Sequence, residues 1–183
     1  MIQFVNVVPF DSKGRARTSR HSFVEDRLLV IHSGHYRARI GRQAVEGQGG
    51  DVILFPSRVV IHDHSFAGDV LRCTPVLFHW PDRPASLPLR VSDGEGRMAA
   101  LTEWLLAEAR TSAPNTPMIC NHYTAALAGE YVRLGRQDEP PLVRAVRAYG
   151  ARHMAESIRL SELAVHLHLH PRYLIRKFKA LCG

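Results

Sequence analysis

The segment Gly49-Gly50-Asp51-Val52-Ile53-Leu54-Phe55-Pro56 places the tightest local constraint on this chain. Two glycines and a proline enclose a run of four apolar residues. A run that short, rich in β-formers and bounded by turn residues, predicts a strand rather than a helix. The same grammar recurs on both sides. Leu28 to Ile31 form a β-rich run, Gly34 breaks it, and Tyr36, Ala38 and Ile40 then alternate with polar residues. The stretch 69–80, DVLRCTPVLFHW, gives another strand, with Pro75 inside it as a bulge or edge signal. Short strands cut by Gly, Pro and Asp at near-regular spacing predict a sandwich or barrel over residues 1–92.

The period changes near Ser92-Asp93-Gly94. From Gly96 to Arg110, Leu101, Trp104 and Leu105 fall on one side of a helix. Thr111 to Pro117 is loop, and a second helix follows from about 117 to 136. Its apolar stripe is Ile119, Tyr123, Ala126, Leu127, Tyr131 and Leu134. Gly135 to Pro141 is a polar linker. Three helical segments come next: about 142–153, a second opened by Ser161 as N-cap, and a third opened by His170-Pro171 with proline at the first helical position. The expectation is an α+β protein divided into 1–92, a helical region 93–138, and a small helical module 139–183.

Charge is concentrated in that last module. The whole chain of 183 residues carries +7, and from Pro140 onward eight basic residues face only Glu156 and Glu162. A basic module on a near-neutral body suits a polyanion partner. No apolar run is long enough to span a bilayer and the start lacks the flanks of a secretory signal, so a cytoplasmic protein is expected. The widely spaced Cys73, Cys120 and Cys182 read as reduced thiols rather than disulfides or zinc ligands. There is no phosphate loop, GxSxG, CxxC or HExxH, and DGEG at 93–96 reads as a turn, so no catalytic residue, metal ligand or cofactor is assigned.

In the C-terminal module the last two helices, joined by a tight turn and supported by the helix before them, predict a helix-turn-helix. The alternating His166, His168 and His170 then occupy a helix end, a turn and a cap instead of one strand face. Leu174, Phe178 and Leu181 form the packed stripe of the final helix. The face left over carries Arg172, Ile175, Arg176 and Lys179; with Lys177 these are the candidate DNA-binding residues, of the types that meet base edges and phosphates of double-stranded DNA. This segment resembles the first helix-turn-helix of the AraC/XylS transcriptional regulators. The resemblance rests on Leu163-Ala164, a cap at His170, then Leu174, Arg176, Phe178, Lys179 and Gly183. His168 stands where the family usually has glycine, and His170 where it usually has serine. The family carries two such units and only the first is matched, so weak DNA binding is expected of this chain.

The resemblance extends backward. The strand ending in Gly34, the hairpin at Gly41-Arg42, the Gly49–Pro56 segment, His62 and the strand Val76–Trp80 are similar to the cupin-type effector domain of that family. It implies a β-barrel or jelly roll holding a small-molecule effector, with Arg17, Arg20, His21, His62, His64 and Trp80 as candidate lining residues. It also implies a homodimer formed through 97–136. The metal-binding cupin pattern is broken, because Arg27 stands at the glutamate position and His21 alone remains of the histidine pair. His32, His35, His62 and His64 leave open an improvised metal site. The expected function is therefore a ligand-responsive, non-enzymatic transcriptional regulator of AraC type. The alternative is a metal-dependent cupin enzyme, an isomerase or oxygenase, with a helical tail.

Overall fold

The computed structural model describes residues 1–13, 17–65, 70–137, 140–153 and 158–182. The protein mixes helix with antiparallel sheet, and the chain divides into two compact units, Met1–Gly135 and Arg136–Gly183.

In the first unit, strands are numbered in chain order. One sheet runs β1 (Gln3–Val7), β9 (Arg72–His79), β4 (Asp26–Ser33), β7 (Asp51–Phe55), β10 (Arg90–Ser92), with β2 (Phe10–Asp11) also paired to β9. The other runs β3 (Arg17–His21), β8 (Ile61–Ser65), β5 (His35–Ile40), β6 (Gln43–Gln48). Every residue of β7 is buried. Its side chains alternate between two cores, as the two-residue period of a strand requires. Ile53 and Phe55 join Leu29, Ile31, Tyr36, Ala38, Ile40 and Ile61 between the two sheets. Val52 and Leu54 join Leu28, Val30, Val76 and Phe78 on the opposite side. That second core is closed by helices α1 (Arg97–Ala109) and α2 (Thr116–Gln137) through Met98, Leu105, Leu127, Tyr131 and Leu134. The unit is thus a three-layer stack of sheet, sheet and helices. Burying an aliphatic side chain fully is worth about 1.5–3 kcal/mol, so the doubly covered strands dominate its stability.

Local devices hold this arrangement. Pro75 lies opposite Leu29 of β4, and on its other side it falls between Val7, paired to Val76, and Phe10, paired to Cys73. The missing N–H therefore sits where β1 hands over to β2, which explains a proline inside a central strand. Ile40 and Gln43 pair across the two-residue turn Gly41-Arg42, where Gly41 has φ 58°. The DGEG segment is a turn leading into α1. Asp93 accepts the Gly96 N–H at its carbonyl (3.0 Å) and the Ala99 N–H at Oδ2 (3.0 Å). The Tyr131 hydroxyl donates to the Pro88 carbonyl at 2.8 Å, tying α2 to the chain before β10.

The second unit holds α3 (Pro141–Arg152), α4 (Leu160–His166) and α5 (Pro171–Cys182). Ser161 is not the N-cap expected from the sequence. The chain is extended at Arg159, whose carbonyl already accepts the Glu162 and Leu163 N–H groups at 3.1 Å, so Ser161 falls inside the first turn. Helix α4 ends with the Leu169 N–H on the Ala164 carbonyl (2.9 Å) and the His168 N–H on the Val165 carbonyl (3.0 Å). This is the Schellman pattern, and it forces His168 into the left-handed region at φ 53°. His170 caps α5, its Nδ1 accepting the Arg172 N–H at 3.3 Å. Among the described residues of this unit, Ala164 and Leu174 are the buried apolar pair, Phe178 is half-buried, and Leu181 of the expected stripe is exposed. Among the described residues, no helix is long and apolar enough to cross a membrane.

Two substitutions test these backbone positions. Gly34 has φ 83°, and a Cβ there would lie 2.6 Å from the Val70 carbonyl oxygen. Gly34→Ala therefore costs more than the ~1–2 kcal/mol of a left-handed alanine alone, read as a lowered midpoint in urea. His168→Gly removes left-handed strain and raises the stability of the 136–183 unit by about 1 kcal/mol, read by hydrogen exchange of α4 and α5.

Candidate functional site

Between the two sheets lies a cavity of about 220 Å³. Its apolar wall is Phe10, Phe23, Leu29, Leu71, Cys73 and Pro75, and its polar end is Ser19, His21, Arg27, Tyr36 and Asp63. The polar residues come from four neighbouring strands whose inward parity coincides. Ser19 and His21 alternate on β3, Asp63 follows Ile61 inward on β8, Tyr36 opens the inward face of β5, and Arg27 precedes Leu29 and Ile31 on β4.

Asp63 is the hub. Its Oδ1 accepts the Tyr36 hydroxyl, and its Oδ2 accepts the Ser19 hydroxyl at 3.2 Å. His21 Nε2 stands 3.3 Å from the same Oδ2 and 3.4 Å from Arg27 Nη2, while its Nδ1 lies 3.3 Å from Ser19 Oγ. The Arg27 guanidinium carbon sits 4.5 Å from the Phe23 ring centre and 4.2 Å from that of Phe55. Its Nε is buried without a hydrogen-bond partner among the described residues.

These contacts do not compensate Arg27 fully. Burying a guanidinium costs several kcal/mol after relaxation, whereas each ring contact returns about 0.5–2 kcal/mol and the orphaned donor adds a further penalty. Burial accordingly pulls Arg27 below the usual arginine value, opposed by Tyr36, Asp63 and Cys73. Burial, reinforced by the Asp63 charge and hydrogen bond, pushes the Tyr36 phenol far above its ordinary range. Burial also pushes the Cys73 thiol up to about 12. Both groups are therefore neutral at physiological pH, and among the described residues the side chains that bring formal charge to the cavity are Arg27 and Asp63. The arrangement offers an unsatisfied cationic donor at one end of an apolar chamber, which is the chemistry of a small-ligand pocket.

Of the residues expected to line this site, His21 is present. Arg20 and His62 lie on the outer face of the second sheet, side by side with Arg39 across three strands. Alternation is the reason: Ile61 and Asp63 point inward, so His62 between them points out. Trp80 is 8% exposed and packs 5.7 Å from Phe78 in the core under the helices, away from the cavity. Arg17 and His64 contribute backbone to β3 and β8, and their side chains lie outside the described residues. Ser19, Tyr36 and Asp63 are not among the expected lining residues, and Arg27 enters the sequence reading only as the residue at the glutamate position of the metal-binding pattern. Counting parity from Ile61 would have found Asp63. Among the described residues, no three His, Cys, Asp or Glu side chains gather closely enough to hold a metal ion.

In the second unit, Arg172, Ile175, Arg176, Lys177 and Lys179 are all exposed on α5, with Ile175 at 51%. The Arg176 guanidinium lies 5.5 Å from the Tyr173 ring centre, one helical turn back.

The raised thiol value gives a direct test of the pocket's interior. The thiolate is the reactive form, and three units separate about 12 from the ordinary 9. At pH 8 iodoacetamide should label Cys73 about a thousandfold more slowly in the folded protein than in urea, followed residue by residue by mass spectrometry.

No family model matches the chain, and no curated protein matches it. Solved structures resemble parts of it. A conserved protein of unknown function from Streptococcus pyogenes is 22% identical over 43% of this chain and 67% of its own, with a TM-score of 0.37. The EutQ protein of Clostridium difficile is 18% identical over 40% of this chain, with a TM-score of 0.35, and the chain spans 55% of its length. A putative mannose-6-phosphate isomerase from Ralstonia eutropha is 12% identical over 44% of this chain and 84% of its own, with a TM-score of 0.37. The EutQ and isomerase-like neighbours are cupin-fold proteins, and each of the three likenesses covers less than half of this chain.

Proposed function

We propose that this chain belongs to a ligand-responsive, DNA-binding regulator of AraC type that works in the cytoplasm and catalyses no reaction. A cupin-like barrel formed by the two sheets holds a small-molecule effector, and α3 to α5 form a helix-turn-helix on double-stranded DNA. What carries the reading is the sorting of α5. Leu174 turns inward, while Arg172, Ile175, Arg176 and Lys179 share the opposite, exposed side and Lys177 is exposed beside the packed stripe. A helix with that division presents guanidinium forks and ammonium groups to a groove and keeps its own packing intact. The resemblance of Leu163–Gly183 to the family motif supports it independently. In such a protein the effector acts only through a difference in affinity between two arrangements of the chain.

Pairing of two chains through 97–136 is part of the same proposal. Trp104 and Met118 are 57% and 55% exposed there, large apolar surfaces of the kind that a second copy covers.

The test is selection from a randomised duplex pool, followed by mobility shift of the best sequence against a scrambled one. Binding by this chain is expected to be weak and steeply salt-dependent. Arg176→Ala costs about 1–3 kcal/mol on the selected sequence and relaxes preference, whereas Lys179→Ala weakens all sequences alike and lowers the salt slope by about 1. Absence of binding at low salt, or binding indifferent to both substitutions, overturns the reading.

A further inference from the structure

The outer face of the second sheet carries a row of basic side chains that the sheet itself does not balance. Arg20 of β3, His62 of β8 and Arg39 of β5 are Cα partners across three adjacent strands, and Ala44 of β6 completes the row. The row therefore crosses all four strands without an acid. Arg20 and Arg39 are exposed, and His62 is half-buried. Among the described residues, none of the three side chains has a hydrogen-bond or ion-pair partner. The neighbouring positions on β5 and β6 are built the opposite way. Arg37 lies across from Glu46, and its Nε meets Glu46 Oε1 at 2.6 Å. Cross-strand pairs of opposite charge stabilise a sheet, and like charges weaken it. Two guanidinium groups flanking an imidazole gain nothing for the fold, so the row calls for an anion from outside.

Spacing and charge say which kind. Neighbouring strands lie about 4.8 Å apart, so the backbones of Arg20 and Arg39 are roughly 10 Å apart with His62 between them. Side chains on one face stand side by side above the sheet. The arginines are longer than the histidine, and their forks can close from both sides over a group seated on the imidazole. That brings two planar forks and one ring N–H around a single acceptor. A carboxylate has two oxygens and one charge, and would leave one guanidinium unanswered. A terminal phosphate has three acceptor oxygens and a charge of about −1.5 to −2 at neutral pH, which suits three donor groups and two arginine charges. A phosphodiester carries one charge per group and repeats along a line. This row is one position wide on β5 and β6, because the next arginine is already engaged by Glu46.

We propose that Arg20, His62 and Arg39 form a site for the dianionic phosphate of a small phosphomonoester. The site lies on the face of the second sheet turned away from the cavity, and it depends neither on a ligand in that cavity nor on DNA binding by α5.

The experiment follows the ring C–H signals of His62 by NMR in the intact chain, assigned with His62→Gln, at constant ionic strength and neutral pH. Methyl phosphate is the probe, with dimethyl phosphate and acetate as its monoanionic counterparts. Methyl phosphate should move the His62 signals with a Kd of about 1 mM or tighter, and both monoanions should bind at least ~10-fold more weakly. Arg20→Gln and Arg39→Gln should each weaken methyl phosphate by about 5-fold or more. Both positions are exposed, so an unchanged urea midpoint should accompany the loss. Arg110→Gln removes the same charge from the exposed end of α1 and should leave the Kd as it was. An equal loss in Arg110→Gln reduces the effect to net charge and overturns the proposal. So does equal binding of methyl and dimethyl phosphate, or no His62 response up to about 20 mM methyl phosphate. A short DNA duplex that moves the His62 signals where methyl phosphate does not assigns the face to a polyanion, and also overturns it.

Discussion

The central strands of the first sheet, β4 and β7, are buried on both faces, and the rest of the structure depends on that. Strands β4 and β7 send alternate aliphatic side chains into two cores, one shared with the second sheet and one with α1 and α2. Neither core could persist alone, because each strand's other face would then be left to water. The helices are therefore a layer of the first unit and not an appendage to a finished barrel. The apolar stripe of α2 has its largest buried members, Leu127 and Tyr131, on this sheet.

The cavity is an interruption of the inter-sheet core. Where Ile31, Ala38 and Ile53 meet, the space is filled by apolar side chains. One layer further along, the inward positions hold Arg27, Tyr36, Asp63 and His21 instead, and packing gives way to a polar cluster. The Phe55 ring belongs to both parts, since it fills the core and supports the Arg27 guanidinium. A charge is tolerated there because aromatic faces and a nearby carboxylate offset much of its desolvation. The remaining imbalance is concentrated on one buried nitrogen.

Much of the fold was legible because its signals are local. Gly49, Gly50 and Pro56 delimit β7, Gly41-Arg42 marks a hairpin, and the change of period near 92 separates strands from helices. The alternating histidines 166, 168 and 170 were legible as a helix end, a left-handed turn and a cap, because the helical stripes around them leave no room for a strand. The site was less legible. Residue type drew attention to Arg20, His62 and Trp80, but membership depends on parity and on which core a strand face meets. β3 offers no apolar residue from which to count. On β8 Ile61 does, and it marks Asp63 as inward. Trp80 lies just beyond the end of β9, where the sequence pattern does not say which core a side chain will enter.

Because both faces of β4 and β7 are aliphatic, hydrophobicity alone would tolerate shifting either strand by one residue. The polar ends prevent it. Asp26, at the start of β4, accepts the Ser57 N–H at 3.1 Å and meets Arg83 at 2.9 Å. Asp51, at the start of β7, accepts the Gln48 N–H at 3.0 Å and meets Arg90 at 3.5 Å. Two nearly buried carboxylates thus act as indexing pins for strands that are otherwise interchangeable front to back. Insertions and deletions between such a pin and the end of its strand would trade the occupants of the two cores and carry Arg27 out of the cavity.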